Sequence, residues 1–316
     1  MKNQNFGVEI EMTGITREQA AETLEAYFGT EALYIGGTYY AWQVKDGQGK
    51  VWKLMSDSSI SKERKIDRKR YEATTNLNYS VELVTPILQY DEIPKLQEVV
   101  RQLRHTGAKV NGSCGLHIHV GAEKHTAKTL RNLLGIMYAK EDLLFKALKV
   151  KNTRVTYCQK TREDILKKAR GEKDLTMDRL GRIWYGNDNW EYNARSHYDK
   201  SRYHALNLHS TFSKKTVEFR LFNATLHAGE VKAYVHLALA INAQALRQKS
   251  TQLTKTASDN EKFTFRTWLL RLGMIGKEFE NTREHLLKHL DGSAAWRYEA
   301  SRYPTHPHTI AAAALV

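Results

Sequence analysis

The sequence predicts an α+β fold, a mixed or antiparallel sheet with flanking helices. Two observations predict it. Short segments of alternating apolar and polar residues come in runs, several rich in the aromatic and branched residues that suit strands. Helical patterns are interspersed among them, with few strict strand-helix-strand alternations, which disfavours a doubly wound parallel sheet.

In chain order, alternation marks strands at 5–12, 38–44, 51–56, 79–84, 115–120, 204–212 and 216–222. Thr16 and Gln19 form a capping box before Ala20 to Phe28, and Gly29 stands where a left-handed C-terminal cap is expected. Asp91 caps a second helix whose first turn tolerates Pro94; Leu96, Val99, Val100 and Leu103 recur at helical spacing before Gly107. A longer helix begins after Thr126 and runs through Leu133, Leu134, Met137, Leu144 and Leu148, and another spans about 229–247. The polar, charged stretch over 150–200 reads as a helical excursion that ends in a structured loop around Trp184 to Tyr192. Residues 1–248 are expected to form the main domain, carrying that excursion (about 124–200), and 249–316 a helical appendage with patterns at 264–274 and 281–291 and a tail through Pro304 and Pro307.

The chain has 316 residues, 41% of them hydrophobic, enough to bury a sizeable core. No run approaches the roughly 18 apolar residues of a membrane span, and Met1 to Met12 lacks the apolar core of a signal peptide. A soluble cytoplasmic protein is expected, and the two separated cysteines, Cys114 and Cys158, suit a reducing compartment. The formal charge of +14 points to nucleic acid, an anionic surface or phosphorylated ligands without choosing among them. Its densest run, Lys62 to Arg70, lacks the apolar period of a packed helix and reads as a solvated loop.

Chemistry concentrates on the strands. In Phe6-Gly7-Val8-Glu9-Ile10-Glu11-Met12 the two carboxylates share one face, roughly 6 to 7 Å apart along the strand, while Val8, Ile10 and Met12 face the core. Two like charges on a half-buried face call for cations, and carboxylate oxygens suit Mg or Mn. The same alternation places His117 and His119 together in Gly115 to Gly121, away from Leu116, Ile118 and Val120. No third soft ligand lies at a zinc spacing, so carboxylates must complete any metal shell. Thr216 to Phe222 sets Glu218 beside Arg220, a structural ion pair or an oxyanion-binding fork. Glu82 adds a carboxylate to a strand that Pro86 terminates. In Ser201 to His209, Asn207 and His209 face one way and Leu206 and Leu208 the other; Arg202 reaches the polar side only if the strand is irregular there. Cys114 near His117 resembles a thiol with a base, but their spacing on a strand separates them onto opposite faces. Five strands that all set Glu, His, Arg or Asn on one face describe a sheet with a metal-holding polar side.

These segments resemble the amidoligases, a branch of the carboxylate-amine ligases that share the fold of glutamine synthetase and glutamate-cysteine ligase. The resemblance rests on Phe6 to Glu11, Ser56-Asp57-Ser58-Ser59-Ile60, Val81 to Pro86, Asn111 to Gly121, Arg202-Tyr203 through Asn207, and Thr216 to Phe222, in the family's order over about residues 6–245. It implies a glutamine synthetase-like antiparallel catalytic sheet. Glu9 and Glu11 would then serve different divalent cations, His117 and Glu218 joining Glu9, and Glu82 joining Glu11. His119 and Arg220 would face the phosphate and acyl substrate, and Arg202 would offset charge during transfer. Asp57, Asn111 and Asn207 would lie on the cofactor side, with the Asn111-Gly112 turn near the substrate. Where glutamine synthetases use a second acid near the position of Glu82, Glu72 is the loose candidate.

The resemblance implies an ATP-dependent ligase that uses Mg (or Mn), passes through an acyl phosphate, and takes small-molecule or peptide carboxylates and amines. No Gly-x-x-x-x-Gly-Lys-Ser/Thr loop is present, so the nucleotide would lie against the sheet. The positive charge suggests an acidic donor. The alternatives are a two-metal hydrolase using the same Glu and His cluster and, further off, a basic nucleic-acid-binding protein. No membrane partner is expected.

Overall fold

Apolar residues at every second position of Phe6–Met12 bury one side of a strand whose other side is polar, and that strand becomes the middle of the molecule. The computed structural model describes residues 1–67 and 70–298. The strands are β1 (Phe6–Met12), β2 (Ala32–Gly36), β3 (Ala41–Lys45), β4 (Val51–Met55), β5 (Glu63–Lys65), β6 (Tyr71–Ala73), β7 (Val81–Val84), β8 (Gly115–Gly121), β9 (Leu206–Asn207) and β10 (Thr216–Asn223). Eight of them form one sheet in the order β2-β3-β4-β7-β1-β8-β10-β9, and every pairing is antiparallel. The fold is therefore α+β with a large antiparallel sheet, as predicted.

One face of the sheet is core: Val8, Ile10, Leu54, Leu83, Ile118 and Phe219 have almost no exposure. Helices α1 (Arg17–Phe28), α2 (Ile93–Thr106), α3 (Ala127–Ala147) and α8 (Ala228–Arg247) cover it: α1 lies on β3 and β4, α8 on β8, α2 between them, and α3 behind α8. The α1 signals act as predicted. Thr16 and Gln19 close a capping box, and Gly29 adopts the left-handed conformation with φ 68°. Gly107 ends α2 likewise, at φ 112°. The residue entering α2 is Glu92 rather than Asp91, because a short 3-10 turn over Tyr90–Glu92 precedes it.

The excursion is built of short helices joined by turns. The chain passes through α4 (Glu163–Gly171), α5 (Met177–Tyr185), α6 (Trp190–Arg195) and α7 (His209–Lys214), each packed on the next, and α7 returns the path to β10. Trp184 to Tyr192 is thus the end of one helix and the start of another, joined at the left-handed Gly186, rather than a loop. The strand expected over 204–212 is confined to Leu206–Asn207, since the chain turns into α7 at His209. The basic run is not a loop at its start: its residues Glu63–Lys65 form β5, which pairs with β6, and there Glu72 pairs with Arg64 and Arg70. After residue 248 come α9 (Glu261–Arg271) and α10 (Glu280–Leu287), with α10 against both α8 and α9. The tail with Pro304 and Pro307, and Arg68 and Lys69 of the basic run, lie outside the described residues. Among those described, no helix is long and apolar enough to cross a membrane.

Candidate active site

Register assembles the site. Glu9 lies opposite His117, Glu11 opposite Glu82, and Glu218 opposite both His119 and Asn207, so four strands and the short β9 contribute to one polar face. Glu9 Oε2 stands 3.2 Å from His117 Nδ1, and Glu218 Oε1 is 3.9 Å from the same nitrogen. The other imidazole nitrogen, Nε2, is 3.8 Å from Glu11 Oε1. Ligand atoms of Glu9, His117 and Glu218 all lie within 4.8 Å of one another, as do those of Glu11, Glu82 and His117. His117 therefore stands between two candidate cation positions. A neutral imidazole has one lone pair, so it can serve one of them at a time.

The electrostatics fit cations. Burial, then the charges of Glu9, Glu11 and Asp57, push the Glu82 carboxyl well above its ordinary range. Burial and Asp57 raise Glu11 to about 7. His117 is lowered to about 4 by burial and by Arg220, leaving its imidazole neutral and able to ligate. Burial would also raise Glu9 and Glu218, but His119 and His117 hold Glu9 well below the usual range, and Arg220 with His119 holds Glu218 at about 2. Clustered carboxylates with one neutral imidazole form a donor set for hard divalent cations such as Mg or Mn. Glu72, out on the β5–β6 ribbon, is no member of it; Asp57, near enough to raise both Glu11 and Glu82, is the acid on that side.

Around this centre stand the other predicted residues. The Arg220 guanidinium donates to Glu218, and Asn207 Nδ2 donates to the second Glu218 oxygen at 2.7 Å. His119 has Nε2 3.2 Å from Glu9 Oε1 and Nδ1 3.0 Å from Thr216 Oγ1; burial opposes its charge, but Glu9 and Glu218 raise its pKa. Arg202 ends a 3-10 turn rather than sitting on a strand, and this irregularity brings it to a cavity shared with Asn207 and Glu218. Asn111 donates to Ser61 O at 2.7 Å and Glu63 Oε1 at 2.8 Å and accepts from Ser113, so its amide knits the turn before β8. His209 starts α7 instead of continuing the strand, yet it lines the same cavity as Asn207 and meets the Tyr185 hydroxyl at 2.7 Å. Cys114 belongs to that turn as well, and burial raises its thiol to about 11, unsuited to nucleophilic attack.

Two features carried no sequence signal. Between Phe219 and Phe222 the β10 register shifts, and the buried Arg154 guanidinium donates to the carbonyls of both Arg220 and Phe222. It fits over Gly115 because that residue has no side chain. The second is a loop contact: Tyr39, in the β2–β3 turn, has its hydroxyl 3.4 Å from His197 Nε2 and 3.5 Å from the Tyr198 hydroxyl, linking that turn to the segment ahead of β9, the strand at the other end of the sheet. A cavity of about 220 Å³ with apolar walls from Phe6, Val8, Val84, Pro86 and Ile87 opens beside Glu9 and His119.

A search of curated proteins finds no match to the chain. The family model described as "Putative amidoligase enzyme" matches residues 2–242, a span holding every strand of the site and both candidate cation clusters. With that match over most of its length, the chain belongs to the amidoligase family.

Proposed function

We propose that the chain is an ATP-dependent carboxylate-amine ligase on a glutamine synthetase-like sheet, forming an amide or peptide-type bond through an acyl phosphate. The observation that carries the reading is the pair of carboxylate clusters sharing His117 on one sheet face, flanked by Arg220 and Arg202. A carboxylate does not acylate an amine unaided, because its oxygen is a poor leaving group. In the proposed reaction it attacks the terminal phosphorus of ATP, ADP departs, the amine attacks the acyl phosphate carbon, and phosphate and a proton leave. Mg or Mn at the two clusters would neutralise and align the transferred phosphoryl group.

The chain's own groups have definite tasks. Glu9, Glu11, Glu82, His117 and Glu218 would hold the cations. Arg220 keeps Glu218 ionised and adds positive charge beside it. His119, whose Nε2 faces Glu9, supplies a hydrogen-bond donor at the edge of the apolar cleft. Asn207 fixes the Glu218 carboxylate from the β9 side. The two buried free thiols and the use of ATP suit the cytoplasm.

The test is ADP release by purified protein with Mg and ATP against pools of amino acids and peptides. Substrate-dependent release abolished by Glu9→Gln and by Glu218→Gln is expected. Metal binding with no ATP turnover, together with ATP-independent cleavage of esters or amides, would replace the ligase with a two-metal hydrolase.

A further inference from the structure

Tyr40 has φ 47°, in the left-handed region that glycine enters freely and an aromatic residue does not. It ends the turn from β2 into β3, where a glycine would remove the strain. What the strain achieves is visible in the neighbours. Tyr40, Tyr34 and Trp42 wall a cavity of about 230 Å³ whose polar lining includes Arg17, Glu18 and Asn78. Tyr34 and Tyr40 are 56% and 47% exposed, whereas Arg17 is buried and fixed. Its Nε donates to Tyr40 O at 3.2 Å, Nη1 to Leu77 O at 2.5 Å and Ser80 O at 2.8 Å, and Nη2 to Asn78 Oδ1 at 3.1 Å. The guanidinium also lies 5.6 Å from the centre of the Tyr40 ring. A strained aromatic residue, pinned in place by a buried cation yet open to solvent, marks a binding site rather than packing.

This cavity is separate from the face that carries the cation clusters. Tyr34 stands opposite Trp42, Trp42 opposite Leu54, and Leu54 opposite Leu83, so Tyr34 and Trp42 belong to the helix-covered face, whereas Glu82, next to Leu83, points the other way. The Tyr34 and Trp42 rings are 5.2 Å apart at 50°, a wedge and not the parallel slot that a flat ring needs. Tyr and Trp rings in a wedge, an amide able to donate to a carbonyl and an acid at the rim are the chemistry that receives a polyproline II segment with a basic residue beside it. The chain carries such a segment. Arg302-Tyr303-Pro304-Thr305-His306-Pro307 has two prolines three apart, which share one side of a helix with three residues per turn, and an arginine ahead of them. These six residues lie outside the described ones.

We propose that the cavity of Tyr34, Tyr40 and Trp42 binds the Arg302 to Pro307 segment, with its prolines against the aromatic rings and Arg302 against Glu18. The site is independent of the ligase reading. Tyr34 and Glu18 are exposed, so Tyr34→Ala and Glu18→Gln leave the core intact. The experiment uses full-length protein isotope-labelled at the tryptophan indoles, the Trp42 resonance being identified by its loss in Trp42→Phe. That resonance is expected to differ between wild type and the Pro304→Ala/Pro307→Ala variant, and a synthetic peptide of residues 299–309 added to this variant is expected to return it to the wild-type position. Adding Tyr34→Ala to the variant should weaken the peptide about tenfold, the size of one aromatic contact. Glu18→Gln should weaken it about threefold, a loss that disappears at high salt. A Trp42 resonance that is the same in wild type and the proline variant, and that the peptide does not move, would overturn the proposal. Peptide binding indifferent to Tyr34→Ala would do the same, since the peptide would then sit elsewhere. An unrelated proline-rich peptide that moves Trp42 where the 299–309 peptide does not would give the cavity to another partner and remove the Arg302 to Pro307 assignment.

Discussion

Glu11 and Glu82 stand directly opposite each other across β1 and β7, two carboxylates on one buried face of the sheet. Carboxylates in direct cross-strand register destabilise a sheet by up to about 1 kcal/mol when ionised, and here Asp57 adds to the pressure that raises the pKa of both. A divalent cation converts that repulsion into binding. Glu82→Gln is therefore expected to raise the stability of the metal-free protein by roughly 1 kcal/mol and to weaken Mn binding about tenfold or more. Urea unfolding with and without Mn measures both. A variant less stable than wild type without metal, with undiminished Mn affinity, would remove Glu82 from the site.

Gly115 is where strand, bulge and candidate cation cluster meet. Its N–H donates to Glu11 Oε2 at 2.7 Å, and a Cβ there would run into the Arg154 guanidinium and stand 3.0 Å from His117 Nε2. Gly115→Ala must push one of these aside. It is expected to cost about 2 kcal/mol and to lower divalent-cation affinity by disturbing His117. Arg154→Met, which leaves the Arg220 and Phe222 carbonyls without their donor, is expected to cost about 2 kcal/mol as well. Thermal unfolding with Mn titration tests both; unchanged metal affinity in Gly115→Ala would show that the strand absorbs the methyl group elsewhere.

What the sequence made legible follows from periodicity. Glu9 with Glu11, His117 with His119, and Glu218 with Arg220 each sit two residues apart on a regular strand, so a period of two settles which side they share. The helix signals at Thr16, Gly29, Gly107 and Thr126 are equally local, and each appears where expected. Failures arise where a partner distant in sequence decides. The strand expected through His209 ends after Asn207, because Tyr185 gives the His209 ring a place on α7. β2 escaped notice because Leu33, Tyr34 and Ile35 are apolar in succession and all exposed on an edge strand. Arg154 carries no motif at all. Its role exists only because a register shift some 65 residues later leaves carbonyls in need of a donor. Glu72 and Asp57 could not be ranked from sequence, since which of them approaches Glu82 depends on how the 57–73 segment folds back.

Arg220 and Glu218 are both nearly inaccessible, at 6% and 3% exposure, and the guanidinium donates directly to the carboxylate. Removing one partner of a buried pair strands the other's charge, so Arg220→Ala is expected to cost about 3 kcal/mol. In a Glu218→Gln background the same change should cost at least about 1 kcal/mol less, the coupling energy of a contacting pair. Arg220→Lys should recover little, since a compact ammonium does not reproduce the planar fork. A double-mutant cycle in urea reads the coupling, and additive costs would mean that the two residues act independently.

His236 gives the C-terminal helices a pH dependence. Its ring stacks on Tyr90 at 5.3 Å, meets Phe279 edge-on at 5.1 Å, and has Nδ1 2.8 Å from Thr282 Oγ1, tying α8 to the segment holding α10. Burial, reinforced by Lys232 and opposed by Glu278, lowers its pKa to about 4. An unfolded imidazole takes its proton near pH 6.5. Between that value and about 4 the unfolded chain holds more protons than the folded one, so this contribution to stability is complete above about pH 7 and is lost as pH falls through 6.5 towards 4. From pH 7 to pH 5 the loss amounts to roughly 2 kcal/mol. His236→Phe keeps an aromatic ring and removes the titration, so the difference between its unfolding free energies at pH 7 and pH 5 should be smaller than the wild-type difference by about that amount, whatever the variant's stability at pH 7. If wild type and variant lose the same stability over that range, His236 is not the group that titrates, and the acid sensitivity belongs to the other buried histidines.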